Sequence, residues 1–363
     1  MKILFVCSSV GGGGAERVAT NLANALARKD HLITIFSRRM SEKSYSIDGR
    51  IFLISPERES FFKCIFALKK AIDLGEYDAV ISFTDVQNIL TYIASIICEK
   101  SVFFVPTIHT NLEARDSHIK PGFRVAAVKF LHKLACRSAR KVIAVSEGAK
   151  ESLCAYYNLA ESQAMTIYNP VISDSEIIVS RKKNPPKNEI KLVAAGRLTE
   201  AKNYQMMIEV VRRLNEVSAK YYTLDIYGVG ECSENLRLYA VQCGVEGQIF
   251  FRGFVANLKS RLADYDVFLF TSDWEGFGNV LVEALTAGIP VVSTDCPSGP
   301  GEILERGRFG RLISVGDIEG FAEAVEDETV NPLEISPEAL STHLEKFREN
   351  VVGQKYIELV KNA

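Results

Sequence analysis

Residues 267–294 read VFLFTSDWEGFGNVLVEALTAGIPVVST. The run VFLFTS is nearly continuous in apolar residues, the pattern of a parallel strand covered on both faces. DWEGFGN is a loop with two glycines. VLVEALTAG reads as a helix stopped by Gly288, ahead of Pro290 and the next apolar run, PVVST. A strand, a crossover helix and a second strand make a βαβ unit, so this part of the chain belongs to a parallel sheet. Two carboxylates fall within it, Glu275 in the loop after the strand and Glu283 about a turn inside the helix.

The same alternation extends along the whole chain. In the first half the apolar runs are KILFVCSS, LITIFSRR, IFLISP, AVISFTD, SVFFVPTIH, KVIAVS and AMTIYNPV. In the second half they are IKLVAAGRL, YTLDIYGVG, IFFRGF, VFLFTS, PVVST and GRLISV. Helix-length segments separate them, which predicts two doubly wound α/β domains of Rossmann type facing a cleft. The polar stretch 173–189, with Pro185-Pro186, reads as a linker. The expected domains are 1–172 and 173–340, with a C-terminal helix in 341–363 returning to the first. At 363 residues the length suits roughly two domains.

Composition excludes several classes. With 47% hydrophobic and 24% charged residues the chain has ample core and an ordinary surface. Its eight cysteines form no C-x-x-C pair and its five histidines are scattered. That gives no zinc pattern and suggests free thiols in a reducing compartment. No signal peptide and no run long enough to span a bilayer is read, so a cytoplasmic protein is expected. Residues 1–180 carry 22 Lys+Arg against 18 Asp+Glu, and the totals of 43 and 45 leave 21 against 27 for the rest. The basic excess concentrates in 115–141, where Phe123, Val128, Phe130 and Leu131 interleave with eight cations. SFFKCIFALKKAI, residues 60–72, offers a second apolar face. Such segments suit an anionic membrane surface or, equally, a solvated helix face.

In open parallel sheets ligands bind at the carboxyl ends of strands, so the loops after strands carry the functional signal. After the first strand come four glycines, Gly11 to Gly14, and a helix starting near Ala15. The backbone there can approach a ligand, and a helix N-terminus favours an anion. Glu16 stands where a dinucleotide fingerprint would need its last glycine. PTIHTN places His109 and Asn111 at the end of the fifth strand. VAAGRLTEAKN puts Arg197 directly after a strand and Lys202 just before a helix, a pair suited to clamping phosphate. Around Glu275, Gly276 and Gly278 allow close backbone approach, and the N–H groups of Phe277, Asn279 and Val280 can face a diphosphate. Taken singly, Glu275 could instead cap the helix and Glu283 could face solvent.

Glu275 and Glu283 form an E-x7-E pattern. Together with GRLTEAKN, GGGGAE, IYGVGE and FRGFVAN, it makes the whole chain resemble a retaining GT-B glycosyltransferase of family 4. The resemblance implies that the second domain binds a nucleotide-sugar donor, most often a UDP-sugar, and the first a glycan or lipid-linked acceptor. Arg197 and Lys202 would hold the donor diphosphate, Glu275 the transferred sugar and Glu283 the ribose. Gly12, Gly13 and Gly14 would approach the diphosphate and acceptor, His109 would sit over the sugar, and Phe254 and Val255, after Gly253, would present backbone groups to the base. DCPSGPGEIL, residues 295–304, is similar to a branch of bacterial lipopolysaccharide, capsule and lipid-linked oligosaccharide enzymes, although Gly301 stands where that branch often has a charged residue. No cofactor, metal or nucleic-acid partner is implied. Location at the inner face of the cell membrane follows if the acceptor is lipid-linked. Asp264 and Asp266 have the D-x-D spacing of metal-dependent transferases but precede a strand, away from the site-bearing end. A nucleotide-sugar epimerase or an idle sugar-binding relative of the same build remains the alternative. A dehydrogenase would need glycine at position 16 and an acidic residue ending the second strand, where FSRRM stands.

Overall fold

The computed structural model describes residues 1–39, 45–56, 59–180, 187–255 and 257–362. They form two compact units, Met1–Asp174 with Lys346–Ala363, and Ser175–Glu345.

The first unit alternates strands and helices: β1 (Lys2–Ser9), α1 (Gly14–Ala27), β2 (Leu32–Arg39), β3 (Phe52–Ile54), α2 (Phe61–Gly75), β4 (Ala79–Phe83), α3 (Asp85–Ile97), β5 (Phe104–Ile108), α4 (Leu112–Ser117), α5 (Phe123–Ser138), β6 (Val142–Ala144), α6 (Glu147–Tyr157) and β7 (Ala164–Thr166). The second continues with β8 (Glu189–Ala195), α7 (Tyr204–Val217), β9 (Tyr221–Tyr227), α8 (Ser233–Gln242), β10 (Ile249–Gly253), α9 (Lys259–Leu262), β11 (Val267–Phe270), α10 (Asn279–Thr286), β12 (Val291–Thr294), α11 (Pro300–Ile303), β13 (Arg311–Ile313), α12 (Ile318–Val330) and α13 (Pro337–Leu344). The last helix, α14 (Glu349–Lys361), belongs to the first unit. Every apolar run singled out in the sequence becomes a strand. The central strands β4, β5, β11 and β12 are buried along their whole length.

All pairings in both sheets are parallel. The orders are β3-β2-β1-β4-β5-β6-β7 and β10-β9-β8-β11-β12-β13. In each sheet the order reverses beside the first strand, between β1 and β4 and between β8 and β11. Loops leaving adjacent strands there diverge to opposite faces and open a crevice at the carboxyl ends. Topology alone therefore marks four loops: those after β1, β4, β8 and β11.

The boundaries differ from those expected. Residues 175–180 already belong to the second unit: the Val179 N–H donates to Thr286 O at 2.9 Å, and Lys259 Nζ meets both Glu176 oxygens at 2.7 and 2.8 Å. Pro185-Pro186 lies outside the described residues. At the other end α13 stays with the second unit, because His343 Nε2 donates to Ile303 O at 2.7 Å and its ring packs on Phe309. The chain re-enters the first unit at Lys346, not at 341. There the Val171 and Ile172 N–H groups both donate to Phe347 O. Val352, Tyr356, Ile357 and Val360 of α14 join a core with Val18, Leu22 and Leu26 of α1. Each such side chain contributes about 1.5–3 kcal/mol by burial.

At the carboxyl end of the second sheet the loops press on one another through glycine. Gly228 has φ +144°, and a Cβ there would lie 1.8 Å from the Gly196 carbonyl oxygen. Its N–H donates to Gly253 O at 2.8 Å, so it cannot easily move away. Gly228→Ala is expected to destabilise this unit by about 2–4 kcal/mol. Thermal unfolding should show a midpoint lower by roughly 5–15 °C; an unchanged midpoint would mean the Gly196 loop yields freely.

Candidate functional site

The loops after β8 and β11 carry the charged pair expected to matter. Lys202 closes a 3-10 turn, Glu200–Lys202, ahead of α7, and its ammonium pairs with Glu275 Oε1. Ser272 Oγ, just beyond β11, donates to the same oxygen at 2.9 Å. Lys202 is 24% and Glu275 10% exposed, so the pair is half-desolvated, with the ammonium 5.5 Å from the centre of the Phe270 ring. The backbone is fixed from several sides. Thr271 Oγ1 lies at 3.1 and 3.0 Å from the carbonyls of Lys202 and Asn203, and Asn203 Nδ2 donates to Asp273 Oδ1 at 2.8 Å. The Asp273 N–H donates to Ala201 O at 2.9 Å. Burial and the nearby Glu275 carboxylate raise the Tyr204 phenol above its ordinary range, keeping it neutral.

Glu275 does not cap the following helix. The N-cap of α10 is Gly278, at φ +102° and without a side-chain hydrogen bond. The loop before it is clamped from below: the Glu275 N–H donates to Pro297 O at 3.2 Å, and Thr294 Oγ1 donates to Ser272 O at 2.6 Å. A Cβ on Gly299 would sit 1.8 Å from Phe277 O, so the CPSGPG loop can approach this closely only with glycine. Gly276, Phe277 and Gly278 are all buried, while Asn279 and Val280 are half-exposed at the helix start. Glu283 is buried in the middle of α10, which removes the solvent-facing alternative.

Arg197 directly follows Gly196 and is exposed, with no ion pair to its guanidinium among the described residues. Phe254 is exposed and Val255 half-buried just past β10, whose Gly253 carbonyl holds the Gly228 N–H. The second unit thus brings together Lys202, Glu275 and the start of α10, and sets Arg197 on the same strand-end loop as Lys202. The D-x-D pair takes no part: Asp266 is buried before β11, bonded to Lys187 Nζ at 2.6 Å and to the Lys191 N–H at 2.9 Å. Those bonds make it a structural residue of the amino-terminal edge.

In the first unit Gly12 has φ +91° and open space where a Cβ would be, Gly13 is the N-cap of α1 and Gly14 its first residue. Glu16, in the position that argued against a dinucleotide fingerprint, accepts from Ser8 Oγ and ties the end of β1 to the first turn of α1. Burial, with Glu16 adding to it, pushes the neighbouring Cys7 thiol up to about 12. His109 follows β5 directly, its Nε2 2.8 Å from Thr107 Oγ1 and its ring near Phe83. Burial lowers its pKa to about 4, against the opposing pull of Asp85, so it is neutral near pH 7. Asn111 is a cap, its Oδ1 accepting from the Ala114 N–H at 2.9 Å and from Ser152 Oγ at 3.1 Å.

Residues 176–343 match the family described as Glycosyl transferases group 1, and residues 12–175 the one described as Glycosyltransferase Family 4. The chain belongs to glycosyltransferase family 4. It is 25% identical over 336 residues, 90% of this chain and 88% of the other, to a Campylobacter jejuni protein named GalNAc-alpha-(1->4)-GalNAc-alpha-(1->3)-diNAcBac-PP-undecaprenol alpha-1,4-N-acetyl-D-galactosaminyltransferase. It is 24% identical over 364 residues to the lipopolysaccharide 1,6-galactosyltransferase of Escherichia coli, covering 96% of this chain and 95% of that one. Among solved structures the glycosyltransferase is similar to Anabaena HepE in complex with UDP-glucose, with a TM-score of 0.79, 20% identity and all of both chains covered. The fold is GT-B.

Ser272, Thr294 and the Asn203–Asp273 contact do not stand out among the sequence motifs. Ser272 and Thr294 end or follow strands, where a hydroxyl has no apolar wall to fill, and that was their signal. The Lys202–Glu275 pair is expected to couple energetically. In a double-mutant cycle of Lys202→Met and Glu275→Gln, each single change should cost about 1–3 kcal/mol, and the double change less than their sum by at least about 1 kcal/mol. Denaturant unfolding of the four proteins measures this; strict additivity would show that the pair contributes nothing to folding.

Proposed function

We propose that this glycosyltransferase moves a hexosyl or N-acetylhexosaminyl unit from a nucleotide-sugar to a glycan or lipid-linked acceptor in bacterial surface polysaccharide or glycolipid assembly, with retention and without a metal. The observation that carries this is the convergence of Lys202, Glu275 and the N-terminus of α10 at the carboxyl end of one parallel sheet, with Arg197 on the same loop as Lys202. Two cations and a helix start give a positive field for a leaving diphosphate, electrostatic stabilisation already in place before charge develops. An ammonium has three donors, so Lys202 can hold Glu275 and a phosphate oxygen together. The names of the relatives support the acceptor class, since they act in lipopolysaccharide assembly and on an undecaprenol-linked glycan. UDP and UDP-glucose in the HepE structures support a uridine diphosphate donor.

In this reading the diphosphate lies against Arg197, Lys202 and Gly276 to Val280. Glu275 orients the sugar, Glu283 takes the ribose, Phe254 and Val255 meet the base, and His109 contacts the sugar. The departing phosphate oxygen assists deprotonation of the acceptor hydroxyl on the face it leaves, which gives retention. Glu275 is assigned to the part of the donor that changes in the reaction and Glu283 to a part that does not. With transfer assayed in excess EDTA, where activity should persist, Glu275→Gln is expected to lower kcat by roughly 100-fold. Glu283→Gln should chiefly raise KM. Calorimetric titration with UDP should show near-normal affinity for the Glu275 variant and weakened affinity for the Glu283 variant. The opposite pattern would reverse the two roles, and loss of transfer in EDTA with rescue by manganese would overturn the metal-free account.

A lipid-linked acceptor calls for a surface that meets a bilayer, and no helix among the described residues is long and apolar enough to cross one. On α2, Phe62, Phe66 and Leu74 are exposed on one side, with Lys63 and Lys70 also exposed. On α5, Phe123 is 90% exposed and Val128 and Phe130 are exposed with Arg124. Leu131 is only half-exposed, and Lys129 is tied to Asp116 at 3.1 Å, so neither serves as freely as the sequence suggested. The exposed cations, of which Lys63 also pairs with Glu59 at 2.9 Å, would each add up to about 1 kcal/mol on an anionic surface. Co-sedimentation with phosphatidylglycerol vesicles should be salt-sensitive and lost on reversing Lys63, Lys70 and Arg124. Binding that survives all three reversals would exclude this face.

A further inference from the structure

Two hydrogen bonds beneath His109 determine which of its ring nitrogens carries the proton. Thr107 is wholly buried, on β5 two residues before His109. Its Oγ1 lies 2.8 Å from the Ser82 carbonyl oxygen of the neighbouring strand β4 and 2.8 Å from His109 Nε2. A hydroxyl has one proton and a carbonyl can only accept. If the Thr107 proton pointed at the imidazole, two acceptor oxygens would face each other at 2.8 Å with no hydrogen between them. The proton must therefore go to Ser82 O, leaving the Thr107 oxygen able only to accept, and Nε2 must bring the hydrogen.

The surroundings keep this direction fixed. Ser82 Oγ donates to Asn88 Oδ1 at 2.5 Å, and Asn88 Nδ2 donates to the Thr107 carbonyl at 3.1 Å, so both strands are pinned by one buried side chain. Asn88 Nδ2 also lies 3.1 Å from His132 Nε2, whose Nδ1 is 2.9 Å from Tyr157 Oη. His132 is buried too, and burial lowers its pKa, so it brings no positive charge to Asn88, although Asp85 Oδ1 lies 3.7 Å from its Nε2. Because burial also keeps His109 neutral, its ring has one N–H to give.

We propose that Thr107 is a positioning residue that holds His109 as the Nε2–H tautomer and so offers Nδ1 as a hydrogen-bond acceptor to the substrate. The tautomer stands on contacts within the first unit alone; its use rests on the assignment of His109 to the transferred sugar made above. A neutral acceptor recognises a sugar hydroxyl, which donates. It would repel a phosphate oxygen, which has no proton to give. His109 is thereby assigned to the hydroxyl-bearing part of the donor and not to its diphosphate.

Long-range proton–nitrogen correlation of the intact, nitrogen-15-labelled enzyme reads the tautomer directly. The His109 signals should report Nε2–H alone at pH 7, without the minor Nδ1–H form of free imidazole. Thr107→Val should mix the two forms, and Thr107→Ser should restore the single one. An Nδ1–H signature in the wild type overturns the proposal without any variant being needed, and so does a Thr107→Val protein whose tautomer is unchanged. Transfer assays test the use of the ring separately. Thr107→Val should lower kcat/KM roughly tenfold, the scale of one misdirected hydrogen bond, with Thr107→Ser within about twofold of wild type. His109→Asn, whose amide oxygen can stand where Nδ1 stood, should keep more activity than His109→Gln. If the spectra behave as stated and His109→Ala transfers normally, the tautomer is right and the assignment of His109 to the sugar is wrong.

Discussion

The ion pair between Lys202 and Glu275 joins the two loops that the sheet order of the second unit drives apart. Strand β8 sends its chain to one face and β11 to the other, so nothing in the ladder itself holds their ends together. Charge does, aided by the Ser272 hydroxyl and the Thr271 and Asn203 bridges. Removing water from a lysine and a glutamate costs several kcal/mol each when burial is complete, and this pair is only partly buried. The arrangement therefore costs little stability while leaving an ammonium where an anion can reach it. A fully buried pair would have been inert, and a fully exposed one would have been screened by salt and poorly positioned.

The glycines make that placement possible. Gly228 lets the loop after β9 lie on Gly196, and Gly299 lets the loop after β12 lie on Phe277. In each case one backbone rests directly on another with no side chain between. Rigid support of this kind is what a transition-state contact needs, because a loop free to relax would give back in reorganisation what it gains in attraction.

Much of this was legible in the sequence, for a physical reason. A parallel strand covered on both faces must be apolar throughout, so all the apolar runs from KILFVCSS to GRLISV could be recognised one at a time. Loops that follow such strands inherit a known end of the sheet, which is why Arg197, Lys202, His109 and Glu275 could be assigned to strand ends from the sequence. What failed to show was anything decided by long-range pairing. Residues 175–180 look like linker but dock on α9 and α10, because Glu176 finds Lys259 and the Val179 N–H finds Thr286 O far along the chain. Lys129 reads as one surface cation among eight, yet Asp116 takes it. Helix α13 gives no local sign of its allegiance, which a single histidine bond to Ile303 supplies.

The two units stabilise their strand ends by different chemistry, and the difference suits the tasks proposed for them. Around β8 and β11 the contacts are charged, with a positive field that would reward a departing diphosphate. Around β4 and β5 they are neutral: Ser82, Thr107, Asn88 and His109 pass hydrogen bonds among buried groups, each with its direction fixed by the next. The nearby carboxylate of Asp85 is paired with Arg115, which Asp116 also holds. A neutral network exerts little pull on a phosphate but discriminates sharply among hydroxyls, since a donor facing a donor leaves both unsatisfied. Affinity and leaving-group stabilisation would then come from the ionic end, and the choice of sugar from the neutral one. On that division, exchanging the sugar should alter what residues near His109 contribute while leaving the contribution of Lys202 nearly constant.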